Sequence, residues 1–78
     1  MQNIDVKEVN VRAFWDDEAS VWVAESDDVP GLVTEAETME SLQEKLRELI
    51  SELLELSGMA HTTAAIHLHS DRTFLVRA

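Results

Sequence analysis

Hydrophobic and polar residues alternate in two short stretches near the start of the chain. Residues 9–15 read VNVRAFW, and residues 21–25 read VWVAE. Alternation of this kind is typical of β-strands that bury one face and expose the other. Because the polar stretch DDEAS lies between them, the two strands are predicted to form an antiparallel hairpin.

The alternation also assigns each side chain to one of two sheet faces. The face that a helix is expected to cover carries Val9, Val11, Val21, Val23, Ile66 and Leu68. The opposite face is expected to carry Arg12, Phe14, Trp22, Ala24, His67 and His69. Phe14 and Trp22 would then form an exposed aromatic patch of the kind that marks an interface. With His67 and His69 they are predicted to form the interface of a homo-oligomer, in the first instance a dimer.

The stretch SDDVPGLVTE joins the second strand to a third strand that is predicted over residues 32–35. It contains the single proline of the chain, Pro30, and one of its two glycines, Gly31. Pro30 fixes its own φ, and Gly31 can adopt the positive φ that a type II turn requires at its third position. Asp27 and Asp28 are expected to bend the backbone through local side-chain hydrogen bonds. The predicted role of this structural turn is chain geometry.

A helix is predicted from residue 39 to about Ser57, because apolar residues recur there at spacings of three and four. Its apolar stripe consists of Met39, Leu42, Leu46, Leu49, Ile50 and Leu53. Thr38 is a favourable N-cap, and Glu40 in the first turn suits the helix dipole. Gly58 is expected to end the helix.

The end of the chain returns to a β pattern, since AIHLHS alternates and TFLVRA continues it. Asp71 and Arg72 do not favour a two-residue hairpin turn, so one long, bent final strand is preferred to a hairpin. The element order β-β-β-α-β predicts an α+β fold with the helix packed on one face of a small mixed sheet. A right-handed crossover would return the last strand parallel to the first.

Composition limits the classes of function. A chain of 78 residues predicts a single domain with a thin core. With 16 acidic and 6 basic side chains, its net charge of -10 disfavours direct nucleic acid binding and favours basic partners. Cysteine is absent, which is compatible with a reducing cytoplasm. No signal peptide or apolar run of about 20 residues is evident, so a cytoplasmic protein without membrane contact is expected.

Residues 14–56 read FWDDEASVWVAESDDVPGLVTEAETMESLQEKLRELISELLEL and resemble the HicB antitoxin domain. That domain reads as a strand, an acidic turn, a YVV strand, a DLPG turn, a VT strand and a helix opened by threonine. The chain is closer still to the short stand-alone bacterial branch of that superfamily, a domain of unknown function (DUF1902-like). In that branch VWVA, SDDVPGLVTEA and ELLE recur almost verbatim.

This resemblance implies a HicB-like, degraded ribonuclease H-like fold without nuclease activity. In the antitoxins the domain binds and blocks a small basic ribonuclease toxin, while a separate C-terminal module binds DNA. Residues 1–78 are expected to form a single HicB-like domain without a DNA-binding domain, so operon repression is not expected. Leu32 stands where many antitoxins carry a cysteine, which is consistent with a packing position.

Two groups of side chains invite a catalytic or metal-binding interpretation. The carboxylates that a two-metal nuclease would need are Asp16, Asp17, Glu25, Asp27, Asp28 and Asp71. A ribonuclease H-type centre needs an acid in the middle of the first strand, where this sequence has Val11 and Ala13. His67 and His69 have a spacing that suits zinc, but a site needs three or four ligands and only His61 lies nearby. We therefore expect no catalytic residues, metal or cofactor.

One feature of the helix is unusual for a purely structural element. The helix carries glutamates at four-residue spacing, namely Glu40, Glu44, Glu48 and Glu52. Each such pair of like charges destabilises an isolated helix by about 0.2–0.5 kcal/mol. Lys45 and Arg47 relieve only part of this repulsion. The row is either an ordinary solvated helix face or an acidic ridge that binds a basic protein.

The sequence therefore favours a non-catalytic protein-binding module that resembles the toxin-neutralising domain of HicB antitoxins. Its predicted partners are a second copy of itself and a small basic ribonuclease toxin. Two alternatives remain at this stage. One is an orphan regulatory oligomer with an unknown partner, and the weaker one is a metal-dependent enzyme of the nuclease type.

Overall fold

The computed structural model describes residues 6–59 and 61–78. Its elements follow the predicted order β-β-β-α-β, and the fold class is confirmed as α+β. In chain order they are β1 (Val6–Asp16), β2 (Val21–Glu25), β3 (Val33–Ala36), α1 (Met39–Leu56) and β4 (Thr63–Asp71).

The strands form one mixed sheet in the order β3-β2-β1-β4. Strand β1 pairs antiparallel with β2 and parallel with β4, and β2 pairs antiparallel with β3. Since parallel neighbours need a long connection, the path from β3 through α1 to β4 supplies the crossover. The predicted return of the last strand parallel to the first is therefore confirmed.

One face of the sheet packs against α1 and forms the core. Its strand and loop contributions are Val9, Val11, Ala13, Ala24, Val29, Leu32 and Ala36, and the helix contributes Leu42, Leu46, Ile50 and Leu54. The helical stripe is rotated slightly from the predicted one, because Leu54 is buried whereas Met39, Leu49 and Leu53 are half-buried. Helix α1 lies nearer β3 and β2 than β4.

Both ends of α1 have well-formed caps. The Thr38 side-chain oxygen accepts a hydrogen bond from the Ser41 N–H at 3.1 Å, as the N-cap prediction requires. At the other end, Gly58 has φ +77 and the Met59 N–H donates to the Leu54 carbonyl at 2.8 Å. With the Gly58 N–H bonded to Glu55, this is a Schellman motif, which satisfies carbonyls that the helix leaves free.

The predicted faces of β2 are wrong. Ala13 lies opposite Ala24 and Trp15 lies opposite Trp22, so Ala24 and Trp22 share the helix-covered face. Val23 lies opposite Phe14 on the other face of the sheet, which α1 does not cover and which we call the open face. Because every residue of VWVA is apolar, alternation alone does not say which half is buried. The hairpin loop sets the register and thereby the faces.

The predicted final strand is also corrected. Strand β4 ends at Asp71, and residues 72–78 form no regular secondary structure. Asp71 lies opposite Phe14, and β1 itself ends two residues further on, at Asp16. Within residues 6–59 and 61–78, the chain past that point has no neighbouring strand to pair with, so a β-like sequence does not form a strand.

The turn between β2 and β3 has the predicted geometry. The Leu32 N–H donates to the Val29 carbonyl at 3.1 Å, and Gly31 has φ +84. Pro30 and Gly31 are thus the central residues of a β-turn with positive φ at its third position. Nothing lies within 4 Å of a Cβ built on Gly31, so the backbone conformation alone demands glycine.

Replacing Gly31 by valine should lower the free energy of unfolding by roughly 1 kcal/mol or more, because a β-branched residue is strained at positive φ. Urea denaturation measures the change. Gly31→Asn is the matched variant, since asparagine tolerates this conformation, and it should lose less. Equal stability of wild type and Gly31→Val would contradict the role of the turn.

The corrected β2 faces make a paired prediction. Trp22→Glu should lower the unfolding free energy by roughly 2 kcal/mol or more, because it places a charge among half-buried packing contacts. Phe14→Glu, on the open face and 42% exposed, should cost much less. Thermal denaturation of both variants checks this, and the reverse ranking would restore the original face assignment.

Candidate functional site

The outward surface of α1 carries the glutamates that the sequence singled out. Glu40, Glu44, Glu48 and Glu52 are all exposed, and we call this surface the acidic face. Arg47 Nη1 lies 3.8 Å from Glu44 Oε1, and both side chains are more than two-thirds exposed. An exposed pair at that distance contributes little, so the acidic face keeps most of its negative charge.

The other cation of the helix is directed elsewhere. Lys45 Nζ donates a hydrogen bond of 2.7 Å to the backbone carbonyl of Glu35 in the edge strand β3. This contact ties α1 to the sheet. It also directs the ammonium group to a backbone carbonyl rather than to a carboxylate, so repulsion among the glutamates is only partly relieved.

The two strand histidines lie on the open face, as predicted. His67 is opposite Asn10 and His69 is opposite Arg12 in the parallel register. The His67 ring nitrogen Nε2 contacts the Glu8 carboxylate, and His69 Nε2 lies 3.3 Å from Asn10 Oδ1. Each imidazole is thus engaged with a neighbour on β1, and the open face near β4 is a polar surface.

The predicted aromatic patch does not form. Phe14 is on the open face, whereas Trp22 packs edge-to-face with Trp15 on the helix side, with ring centroids 5.5 Å apart. The Arg72 guanidinium lies 4.2 Å from the centroid of the Trp15 ring, a cation–π contact. Arg72 therefore holds the chain in place where it leaves β4. This role of Arg72 was not predicted from the sequence.

The stretch after β2 is attached to β1 by side chains. Asp28 Oδ2 accepts from the Asn10 backbone N–H at 2.7 Å, and the Ser26 hydroxyl donates to the Asn10 carbonyl at 2.6 Å. A local side-chain hydrogen bond in this loop runs from the Asp28 N–H to Ser26 Oγ, at 3.1 Å. The expectation of local bonding by Asp28 is therefore wrong, because its carboxylate bonds across to β1 instead.

Arg12 completes this attachment. Its Nη1 lies 3.1 Å from Asp27 Oδ2 and its Nη2 lies 3.3 Å from Glu25 Oε1. Hydrogen bonds with Asp27 and then Glu25 raise the pKa of the Arg12 guanidinium above its ordinary value. Bonds from the Asn10 backbone and side chain lower the pKa of the Asp28 carboxyl. These acids hold the turn in place.

Two further acids of the proposed nuclease set, Asp16 and Asp17, accept hydrogen bonds from nearby residues. Asp16 Oδ1 accepts from the N–H groups of Glu18 and Ala19, and Asp17 Oδ1 accepts from the Trp15 indole at 2.7 Å. Within residues 6–59 and 61–78, no three or more histidine, cysteine, aspartate or glutamate residues gather as a possible metal site. In the same ranges, no helix is long and apolar enough to cross a membrane.

An apolar groove between α1 and β4 was not predicted. Its larger part has a volume of about 420 Å³ and is lined by Gln43, Leu46, Arg47, Ala64, Ile66 and Leu68. A second part of about 210 Å³ shares Arg47, Ala64 and Ile66 and adds Ile50 and Leu54. The groove exists because α1 lies towards β3 and β2, which leaves the helix side of β4 half-covered.

These observations define a small α+β domain with an acidic helix face and a half-open apolar groove. The chain belongs to the DUF1902 family, a domain of unknown function, whose model matches residues 8–76. The predicted DUF1902-like membership is confirmed. A search of curated proteins found no match.

A solved structure is similar to this chain. It is the crystal structure of hypothetical protein TTHA1013 from the extremely thermophilic bacterium Thermus thermophilus. The two sequences are 47% identical, and the match covers 92% of this chain and 100% of the other, with a TM-score of 0.67. The similarity supports the fold and family.

The attachment of Asp28 makes a pH-dependent prediction. A carboxyl with a lowered pKa stabilises the folded state above its ordinary pKa of 3.8, and this contribution is lost as the pH falls below that value. Asp28→Ala should therefore lower the melting temperature at pH 7. The difference from wild type should narrow as the pH falls below 3.8.

Melting curves followed by circular dichroism between pH 7 and pH 2 measure this difference. Glu37→Gln, which removes an exposed carboxylate beyond β3, is the control, and its melting temperature should track that of wild type. A difference in melting temperature between Asp28→Ala and wild type that stays constant with pH would show that the charge of the Asp28 carboxylate does not contribute to stability.

Proposed function

We propose that this protein is a non-catalytic protein-binding module that recognises a basic protein through the acidic face of α1. The observation that carries the proposal is the row of exposed glutamates along one helix, with Lys45 bonded to a backbone carbonyl and Arg47 only loosely paired. Like charges at four-residue spacing weaken an isolated helix. Lysine and arginine side chains from a partner would relieve that repulsion.

The charge of the whole chain supports the same class of partner. A net charge of -10 attracts cationic surfaces over a distance set by salt, about 8 Å at physiological ionic strength. Nucleic acid phosphates are repelled by such a field, whereas a basic protein is steered towards it. The partner is therefore a protein with a lysine- and arginine-rich surface.

The resemblance to HicB antitoxins gives this partner a more specific identity. In those antitoxins the similar domain binds a small basic ribonuclease toxin and blocks it. By this analogy, our chain neutralises a toxin of the same class, encoded in a neighbouring reading frame. The analogy concerns the binding domain alone, and it does not include repression of an operon.

The test uses the small basic protein of the neighbouring frame, or the basic protein recovered from the native host by a pull-down. Association is followed by tryptophan fluorescence in a stopped-flow instrument at low and physiological salt. Wild type should bind more slowly as salt rises, because steering acts mainly on the association rate. Inhibition of the partner's ribonuclease activity then tests the antitoxin assignment separately.

Replacing Glu44 and Glu48 together by glutamine should lower the association rate at low salt and slightly raise the stability of the free protein. The charge-matched control is Glu18→Gln with Glu35→Gln, which removes exposed carboxylates from the hairpin loop and from β3. The control should bind at nearly the wild-type rate. If the helix variant also binds at that rate, the acidic face is only a solvated surface.

A further inference from the structure

The segment that follows β4 is strongly apolar and lies in solvent. Phe74, Leu75 and Val76 are 74%, 96% and 80% exposed. The described chain measures 59 Å along its longest axis but only 23 Å and 20 Å across. Three consecutive large apolar side chains in this state are typical of a surface that another molecule covers.

The apolar groove described above offers matching surface. Ala64, Ile66 and Leu68 line it from β4, and all three are half-buried. Among the described residues, strand β4 is also an edge of the sheet, so its outer backbone groups face no other strand there. An unpaired edge beside an apolar groove is suited to the addition of an extended segment.

We infer that residues 73–78 of one chain dock as an antiparallel strand beside β4 of a second copy, with Phe74 and Val76 entering its apolar groove. The exchange is reciprocal, so the two chains form a symmetric dimer in which each β4 receives the other's end segment. This inference does not depend on the proposed basic partner, because Glu40, Glu44, Glu48 and Glu52 do not line the groove.

A chain cannot readily fill its own groove with this segment. To lie back along residues 64–68, the segment would have to reverse direction directly after β4. Residues 69–78 read HSDRTFLVRA and contain neither glycine nor asparagine, the residues that most readily adopt the positive φ of a tight hairpin turn. Arg72 is also held over the ring of Trp15, which fixes the start of the segment beside the end of β1. A second copy is therefore the occupant.

The two-residue repeat of an extended chain restricts the register. Ile66 and Leu68 lie on the helix side of β4, and continued alternation puts Phe74 and Val76 on that same side. Pairing centred on Ser70 places Phe74 beside Ile66 of the second copy and Val76 beside its Ala64. Apolar side chains then meet apolar side chains.

Electrostatic repulsion favours pairing centred on Ser70 over pairing centred on Asp71. Pairing centred on Asp71 would set the two Asp71 carboxylates directly opposite each other, and like charges opposite one another are destabilising. Pairing centred on Ser70 instead sets Asp71 beside His69 of the second copy. That arrangement brings a carboxylate next to an imidazole on the open face.

The dimer is tested by sedimentation equilibrium of the full chain at micromolar concentration. Wild type should have twice the 8.8 kDa mass of the chain. Phe74→Asp with Val76→Asp should sediment as a folded monomer, because both side chains are exposed within one chain. Two single variants at other exposed apolar residues, Val33→Asp and Phe14→Asp, should remain dimeric.

A monomeric wild type, or a dimer that survives the Phe74 and Val76 changes, would overturn the inference. Dissociation of the dimer by the single change Phe14→Asp would also overturn the inference, because it would place the interface on the open face. Circular dichroism confirms that each variant is folded. The outcome does not bear on the basic partner, because these changes leave the acidic face intact.

The register is tested by disulfide formation, for which the chain is suitable because it has no native cysteine. Opposite residues of an antiparallel pair have Cα atoms about 4.5–5.5 Å apart, a separation that a disulfide can bridge. Ser70→Cys should therefore form a covalent dimer under mild oxidation, while Ser41→Cys on the helix stays monomeric on a non-reducing gel. Equal cross-linking of the two variants would overturn the pairing, and preferential cross-linking of Asp71→Cys would overturn the register.

Discussion

Strand β1 lies inside the sheet, with β2 along one side and β4 along the other, and it is longer than either neighbour. Where β2 stops, the Asn10 backbone would have no strand opposite it, so Ser26 and Asp28 supply the missing hydrogen bonds through their side chains. Where β1 stops, at Asp16, the chain beyond β4 has no strand to pair with in the part of the chain that the structure describes. The lengths of these strands therefore determine both the anchored turn and the exposed end of the chain.

Helix α1 has two roles that place different demands on its sequence. Its inner side buries Leu42, Leu46 and Ile50 against the sheet, while its outer side carries the acidic face. A domain of this size buries a smaller fraction of its surface than a large one, so its core supplies little spare stability. Repulsion along the helix draws on that stability. The proposed basic partner would relieve the repulsion, and the proposed dimer would bury more apolar surface. Under the first proposal, binding and folding would be linked through α1.

Several features were predictable because they depend on neighbouring residues. Thr38 and Gly58 mark the ends of the helix, and Pro30 with Gly31 marks the turn, since each acts on the backbone of its own segment. The exposure of the four helical glutamates followed from the apolar stripe on the other side of α1. The pairing of Asp28 with Asn10 did not follow, because the residues are 18 positions apart and nothing in either local sequence indicates the partner.

The sequence by itself determined the element order, the mixed sheet with one packed helix and the family, because periodicity and turn residues encode them locally. Tertiary structure decided which half of β2 is buried, since its uniformly apolar VWVA stretch fits either face until the hairpin register is fixed. It also decided that TFLVRA forms no strand within the chain, because a β pattern becomes a strand only where another strand offers hydrogen bonds. The groove beside β4 arises in the same way, from the position of α1 over the other strands. A β-strand needs hydrogen bonds from a neighbouring strand, and parts of the chain that are distant in sequence determine where that neighbour lies.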